Sequence, residues 1–169
     1  MNEITTQAEV QFSEEAMAEI RRYISHYPPD RKKSALLPIL HIAQAEFGGW
    51  VSPAVQDKVA EILEIQPIEV YEVATFYTMF NLKPVGKHVL EVCRTGPCML
   101  RGADQLIEHL ENRLSCHVGE NSADGMFTLK TVECLAACGF GPMLQIREKY
   151  YENLDPEKID QLLDDLRKQ

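Results

Sequence analysis

Long apolar runs and an excess of basic charge are both absent from this 169-residue chain. No stretch approaches the ~18 apolar residues that indicate a membrane-spanning helix, so direct membrane insertion is not expected. Acidic residues outnumber basic ones by 26 to 17, and the net charge of -9 argues against nucleic acid as the main partner. The N-terminal segment is polar and acidic, which predicts no secretory signal and favours an intracellular protein.

Three common motifs are also missing, and each absence excludes a class of function. The chain contains no C-x-x-C pair, which disfavours a disulfide-exchange enzyme. It contains neither a G-x-G-x-x-G fingerprint nor a P-loop, so we do not expect it to bind a nucleotide itself.

Cysteine is the feature that the chain does have. Four of the five cysteines stand in two close pairs, Cys93-x4-Cys98 and Cys134-x3-Cys138. Four thiolates that converge in a fold can hold an iron–sulfur cluster or a zinc ion, and spacing alone leaves both open. Two structural disulfides would suit a secreted protein, which this chain does not resemble. Cys116 has no close partner and is expected to be a small buried apolar residue.

Residues 13 to about 80 predict four short helices that form a small bundle. Apolar residues recur at helical spacing in each segment. Ser13 and Ser52 are candidate N-caps, and Pro53 and Pro67 stand at predicted first helical positions. We expect this helical domain to cover residues 1–82 and the following segment, Asn81–Gly86, to act as a linker.

Residues 83–169 predict a second domain with the order β-α-β-β-α, so the chain as a whole is α+β. The strand His88–Val92 runs into Cys93, and the strand Met126–Glu133 delivers Cys134. Both cysteine pairs should therefore lie in loops at strand ends, where a sheet can hold them rigidly. Further elements are expected at residues 101–114, 143–147, 150–151 and after Asp155-Pro156.

The residues around the cysteines suit a negatively charged centre. Cys98 precedes the predicted helix 101–114, whose positive end would stabilise a thiolate. Arg94 and Arg101 would add to this effect. Glycines 96, 139 and 141 leave room for backbone amides to approach sulfur.

Both halves of the chain resemble one family. The two cysteine pairs, the 35-residue gap between them, the run Gly139-Phe140-Gly141-Pro142 and the segment Val73–Phe80 are similar to the family of small [2Fe–2S] subunits of NADH:quinone oxidoreductase, respiratory complex I. Ala136 departs from the family pattern, in which glycine is common, and Gly141 stands where alanine is common. Both departures leave cluster ligation intact and are expected to affect amide geometry.

This resemblance implies a fold, a cofactor and partners. It implies a thioredoxin-like [2Fe–2S] ferredoxin domain with Cys93 and Cys98 on one iron and Cys134 and Cys138 on the other. It also implies a partner flavoprotein that carries NADH, FMN and a [4Fe–4S] cluster, with which this chain exchanges electrons. Other partners would be subunits of the peripheral arm, on the cytoplasmic side of a bacterial inner-membrane complex, and the chain alone would hold no complete active site.

Three alternatives and one packing question stay open at this point. Similar subunits serve NAD-linked hydrogenases and formate dehydrogenases, and a zinc-stabilised adaptor is the rival without redox chemistry. A Rieske-type site would need two of the five histidines, which we expect to be ordinary core or surface residues. The aromatic run Phe76–Phe80 is expected to lie mainly in the core with some of it exposed, and a docking surface for the partner flavoprotein is the alternative.

Overall fold

The computed structural model describes residues 10–168, which divide into two compact units at Pro84–Val85. Each unit has its own buried apolar core. The division falls within the predicted linker Asn81–Gly86. Within residues 10–168, no helix combines the length and apolar character that crossing a bilayer would require.

The first unit consists of helices whose ends follow the capping residues in the sequence. Ser13 Oγ accepts a hydrogen bond from the Ala16 N–H at 3.2 Å, and Ser52 Oγ accepts one from the Val55 N–H at 3.2 Å. Each cap satisfies an amide that has no partner within its own helix. The elements are α1 (Glu14–Ile24), a 3-10 segment (Pro29–Ala35), α2 (Leu36–Glu46), α3 (Pro53–Leu63) and α4 (Pro67–Phe76).

The core of the first unit draws on all four helices. Ile20, Leu40, Val59 and Val70 are all fully buried, one from each helix. These residues lie at the helical spacing that the sequence shows, so the apolar stripes face a common centre.

The prediction that the aromatic run Phe76–Phe80 lies mainly in the core is wrong. Phe80 is buried, whereas the Phe76 side chain is 77% exposed and Met79 is 40% exposed. Helix α4 ends at Phe76 and Tyr77 is extended, so the run does not continue on one helical face. Phe76 packs edge to face against Tyr77, with ring centroids 5.0 Å apart.

The second unit is a four-stranded mixed sheet with helices. Its elements are β1 (His88–Cys93), α5 (Gly96–Leu100), α6 (Ala103–Leu114), β2 (Phe127–Val132), β3 (Leu144–Ile146), β4 (Lys149–Tyr151) and α7 (Pro156–Arg167). The strand order is β2-β1-β3-β4, with β1 and β2 parallel and the other pairs antiparallel. This confirms the α+β class, but the observed order is β-α-α-β-β-β-α, with one helix and one strand more than the predicted β-α-β-β-α order.

The parallel pairing of β1 and β2 places the cysteines at one edge of the sheet. His88 is level with Phe127 at one end, and Cys93 is level with Val132 at the other. Parallel strands need a crossover connection, which α5 and α6 supply. Since the carboxyl ends of parallel strands share an edge, Cys93 and the segment after Val132 emerge side by side.

Candidate metal centre

The two cysteines of the first cysteine loop, residues 93–98, are buried, although Arg94, Gly96 and Pro97 between them are exposed. Cys93 is the last residue of β1, and Cys98 lies inside the short helix α5. Their exposed fractions are 3% and 1%, and they pack with Ala103 and Met143. The sheet and a helical turn therefore fix both thiols in the interior.

The second cysteine loop, residues 134–142, has a different character. Cys134 and Cys138 are both exposed, and Cys134 lies in irregular backbone after β2. Ala136 adopts the left-handed conformation with φ 59° and donates its N–H to Cys134 Sγ at 3.3 Å. A non-glycine residue is disfavoured in this region of φ, so the glycine that is common here in the resembled family would fit the backbone better.

Three contacts join the two loops across the sheet edge. The Thr95 hydroxyl donates to the Glu133 carbonyl, and Arg94 pairs with the Glu133 carboxylate at 2.7 Å. At the other end, Arg101 Nε donates to the Gly141 carbonyl at 2.6 Å. The loops are thus connected beside Cys93 and Cys134 and again beyond Cys98 and Cys138.

Gly141 brings backbone directly against a cysteine sulfur. A Cβ on this residue would lie 3.0 Å from Cys98 Sγ and 3.3 Å from Cys98 Cα. Its φ of -70° and ψ of 163° are open to any residue, so a side chain here would be opposed by the tight contact with Cys98 and not by the backbone conformation. Backbone packed this closely against a cysteine sulfur fits an iron–sulfur ligand, because nearby backbone amides are the usual source of hydrogen bonds to cluster sulfur.

The two buried thiols differ in how readily they ionise. Burial, together with the neighbouring Cys93, Cys138 and Cys134 sulfurs, raises the pKa of the Cys98 thiol to about 11. Burial also opposes ionisation of Cys93, but hydrogen bonds from the Leu135 and Thr95 backbone outweigh it and lower its pKa. Ionising the whole group of thiols therefore calls for a bound cation to balance the charge.

Two expectations about Cys98 and its neighbours are wrong. Cys98 precedes α6 as expected, but it lies inside α5, which is only five residues long, and not at the start of α6. Burial and the adjacent sulfurs raise the pKa of its thiol, so the thiolate is not favoured as the sequence predicts. The charge of Arg94 is balanced by Glu133 rather than directed at a cysteine.

The structure brings the two cysteine loops to one edge of the sheet and places the fifth cysteine, Cys116, in a different apolar cluster from Cys93 and Cys98. All five are free thiols. The approach of Gly141 to Cys98, with 3.0 Å between a Cβ on the glycine and Sγ, places the second cysteine loop against the first. In the part of the chain that the structure describes, however, no three His, Cys, Asp or Glu side chains form a closed ligand set. Cys116 is buried with the larger core of the unit, as expected.

Sequence reasoning missed Thr95, Glu133 and the partnership of Arg101 with Gly141. Thr95 and Glu133 each lie close to a cysteine in the sequence, and this position was the only available signal. The charge of Arg101 is visible in the sequence, but its contact with Gly141 joins residues 40 apart in the chain. Only the fold brings those residues together.

A parallel strand pair that presents two cysteine loops at one edge is typical of a small metal-binding domain with thiolate ligands. The chain belongs to the thioredoxin-like [2Fe–2S] ferredoxin family, whose sequence profile matches residues 20–167. This family binds an iron–sulfur cluster, and the match confirms both the resemblance and the expected thioredoxin-like fold.

Named relatives lie within the same family. The chain is 47% identical over 144 residues to a subunit, designated E, of the NADH-quinone oxidoreductase of Rickettsia bellii, covering 85% of this chain and 86% of the relative. It is 42% identical over 164 residues to the protein of the same name from Rickettsia typhi, covering 97% and 96%. The mitochondrial NADH dehydrogenase [ubiquinone] flavoprotein 2 of Dictyostelium discoideum is 42% identical over 92% of this chain and 63% of its own length.

A solved structure shares the fold. The crystal structure of a NAD+-reducing [NiFe]-hydrogenase in the H2-reduced state superposes with a TM-score of 0.70 over 79% of this chain. The sequences are 21% identical, and the match spans 22% of the hydrogenase chain. At this identity the likeness concerns the fold alone.

Proposed function

We propose that this chain is an electron-transfer subunit of an NADH-quinone oxidoreductase and that it carries one [2Fe–2S] cluster. The observation that carries the proposal is the pair of cysteine loops at a single sheet edge. Relatives of 42–47% identity over most of the chain bear the name of that oxidoreductase, which supports the choice of assembly.

Cys93, Cys98, Cys134 and Cys138 are the proposed ligands. Each loop contributes two sulfurs, so one iron would be held by the buried pair and the other by the exposed pair. When bound, such a cluster supplies one-electron oxidation and reduction. The protein's part is to ionise and hold the thiols, to exclude water on the side of Cys98, and to donate amide hydrogen bonds, as Ala136 does to Cys134 Sγ.

The electron partner of this chain is proposed to be the FMN of an NADH-binding flavoprotein subunit that also holds a [4Fe–4S] cluster. Since the chain has no nucleotide-binding fingerprint, NADH oxidation would take place on that partner. The catalytic unit is then the assembly, with this chain on the peripheral arm at the cytoplasmic face of a bacterial inner membrane. Other subunits of that arm would complete the complex.

A NAD-linked hydrogenase or formate dehydrogenase is the alternative assembly. The shared fold with a NAD+-reducing hydrogenase chain is the observation in its favour. The subunits that co-purify with the chain from its native source separate the two: a hydrogenase large subunit would support the alternative, and quinone-reducing subunits would support the proposal.

Electron-spin resonance of the complex purified without oxygen tests the proposal. We expect a red-brown sample in which NADH produces an axial signal of a reduced [2Fe–2S] cluster, assignable to this chain by its loss in Cys93→Ser. We also expect a low midpoint potential, since an acidic chain with four anionic ligands favours the oxidised form. A colourless protein that contains zinc would contradict the proposal, and so would a potential well above that of NAD.

A further inference from the structure

The contact between Arg101 and Gly141 is placed at matching offsets from two proposed ligands. Arg101 stands three residues after Cys98, and Gly141 stands three residues after Cys138. The backbone N–H of Arg101 donates to the Cys98 carbonyl at 3.2 Å. This bond fixes the backbone of Arg101 relative to Cys98. Its side chain then crosses to the other loop, with Nε 2.6 Å from the Gly141 oxygen.

The second cysteine loop is held from its far side as well. The Asn153 N–H donates to the Phe140 carbonyl at 2.7 Å, and the Leu154 N–H donates to the Pro142 carbonyl at 3.0 Å. These bonds fix the residues on each side of Gly141 but do not themselves reach the first loop. Arg101 supplies that link at the Cys138 end.

The contact at the other end of the loops, beside Cys93 and Cys134, is a weaker type of interaction. Arg94 and Glu133 form an ion pair whose side chains are 53% and 74% exposed. Exposed pairs of this sort contribute little, because water competes for both charges. The Arg101 bond is partly buried and its donor is charged, a combination that gives a stronger hydrogen bond.

We propose that Arg101 is a positioning residue for the cluster: its guanidinium holds the Gly141 carbonyl and so keeps the second cysteine loop closed over Cys98. This inference rests on the proposed function. With Gly141 against the Cys98 sulfur, the loop covers that ligand from water and sets the distance of Cys138 from it. The positive charge also favours the reduced, more negative cluster.

The test uses the full-length protein in three forms, wild type, Arg101→Met and Arg101→Lys. The methionine variant keeps an unbranched side chain as far as the Nε position but loses both donor and charge, and the lysine variant retains a donor and the charge. We expect Arg101→Met to lose its cluster about tenfold faster in air, since a charge-assisted bond shifts local opening by roughly that factor. Its midpoint potential should fall, and lysine should restore part of both changes.

A second readout does not depend on the cluster. In protein stripped of iron by a chelator, we expect a thiol reagent to label Cys98 about tenfold faster in Arg101→Met than in wild type, for the same reason. If wild type lacks iron after anaerobic purification, the proposed function fails, while these labelling rates still test the contact.

Two further variants serve as controls. Arg113, in the last turn of α6 and at the opposite end of that helix from Cys98, forms ion pairs with Asp160 and Asp164, so Arg113→Met should change neither labelling nor potential. Gly141→Ala keeps Arg101 but places a Cβ against Cys98, which should move the second cysteine loop away from that residue. It should therefore accelerate the labelling of Cys98, as Arg101→Met does. Arg101→Met behaving like wild type would overturn the proposal, and so would an Arg101→Lys variant as impaired as the methionine variant.

Discussion

The two cysteine loops lie at one sheet edge yet are built in opposite ways. In the first cysteine loop both sulfurs are almost fully buried, on residues that belong to a strand and a helix. In the second cysteine loop both sulfurs are exposed, and Ala136 between them holds an unfavourable φ of 59°. In one half of the site the cysteines are part of the core, whereas the other half is an exposed segment that is irregular at Cys134 and forms a 3-10 turn at Cys138–Phe140.

This difference indicates how the site is assembled. Regular structure sets the position of Cys93 and Cys98 as soon as the sheet and α5 form. The second cysteine loop gains little from burial, so its position depends on contacts such as Thr95 with Glu133 and Arg101 with Gly141. We infer that folding prepares the first pair and that the cluster, once bound, fixes the second.

The largest effect should come from replacing a buried ligand. Cys98→Ser should abolish the cluster, because a polar hydroxyl in this apolar site provides a poor ligand and also destabilises the core. Cys138→Ser should retain a cluster with an altered spectrum, since its site is exposed and a serine oxygen is tolerated there. Iron content and visible spectra compare the two, with Cys116→Ala as the control that keeps a normal cluster. Equal loss in both serine variants would remove the distinction between the loops.

The next largest effect is expected from a substitution at Gly86, close to the end of β1 and β2 opposite the cysteine loops. A Cβ on Gly86 would lie 2.7 Å from the Phe127 carbonyl carbon, so Gly86→Ala must displace the β1–β2 backbone. We expect the iron-free protein to lose about 2 kcal/mol of unfolding free energy, as for overpacked cores. Gly139→Ala, in the second cysteine loop, has open space and should change it by less than about 0.5 kcal/mol. Denaturant titration measures both, and equal losses would contradict this difference between regions.

A smaller change, here a gain in stability, is expected at Ala136, where the backbone of the second cysteine loop is strained. Ala136→Gly should stabilise the iron-free protein by about 0.5 kcal/mol, because relief of the left-handed φ exceeds the added freedom of the unfolded chain. Ala137, with φ -109°, has no such strain, so Ala137→Gly should destabilise slightly. Thermal unfolding of the two variants measures the contrast. If Ala136→Gly instead loses stability, the left-handed conformation of Ala136 does not destabilise the native protein, which would contradict this prediction.

The smallest expected effect is a loss of stability at acidic pH. It arises at His88, at the end of β1 opposite Cys93. Desolvation, together with the charges of Lys87 and Arg147, lowers the pKa of His88, and its Nε2 finds no hydrogen-bond partner among residues 10–168. The unfolded chain therefore takes up a proton first as pH falls below about 6.5, so stability declines from there downward. His88→Gln should reduce this decline in denaturant titrations between pH 7.5 and 5.5. The same slope in both proteins would contradict a buried neutral His88.

Most of the fold could be predicted from local signals. Ser13, Ser52, Pro53 and Asp155 mark helix starts that the structure confirms, because caps act within a few residues. Alternating and periodic apolar residues located the strands and the long helices. The short helix α5 was missed, since five residues carry too little periodicity to be recognised. The exposure of Phe76 was also missed, because an apolar residue at a helix end gives no sign of which way it faces.

The site was predictable in its ligands and not in its surroundings. The spacing of the four cysteines and the glycines around them were visible in the sequence. The burial of one pair and the exposure of the other were not, since they depend on which loop the helices cover. The role of Arg101 likewise depends on a contact across 40 residues, which no local pattern encodes.

Iron and acid-labile sulfide, counted per chain in protein purified without oxygen, test the central claim most directly. For a cluster held by Cys93, Cys98, Cys134 and Cys138 we expect about two of each per chain, and neither in a variant with all four replaced by serine. A preparation that holds a single zinc ion, or that keeps its iron and sulfide without these cysteines, would contradict the assignment of this site.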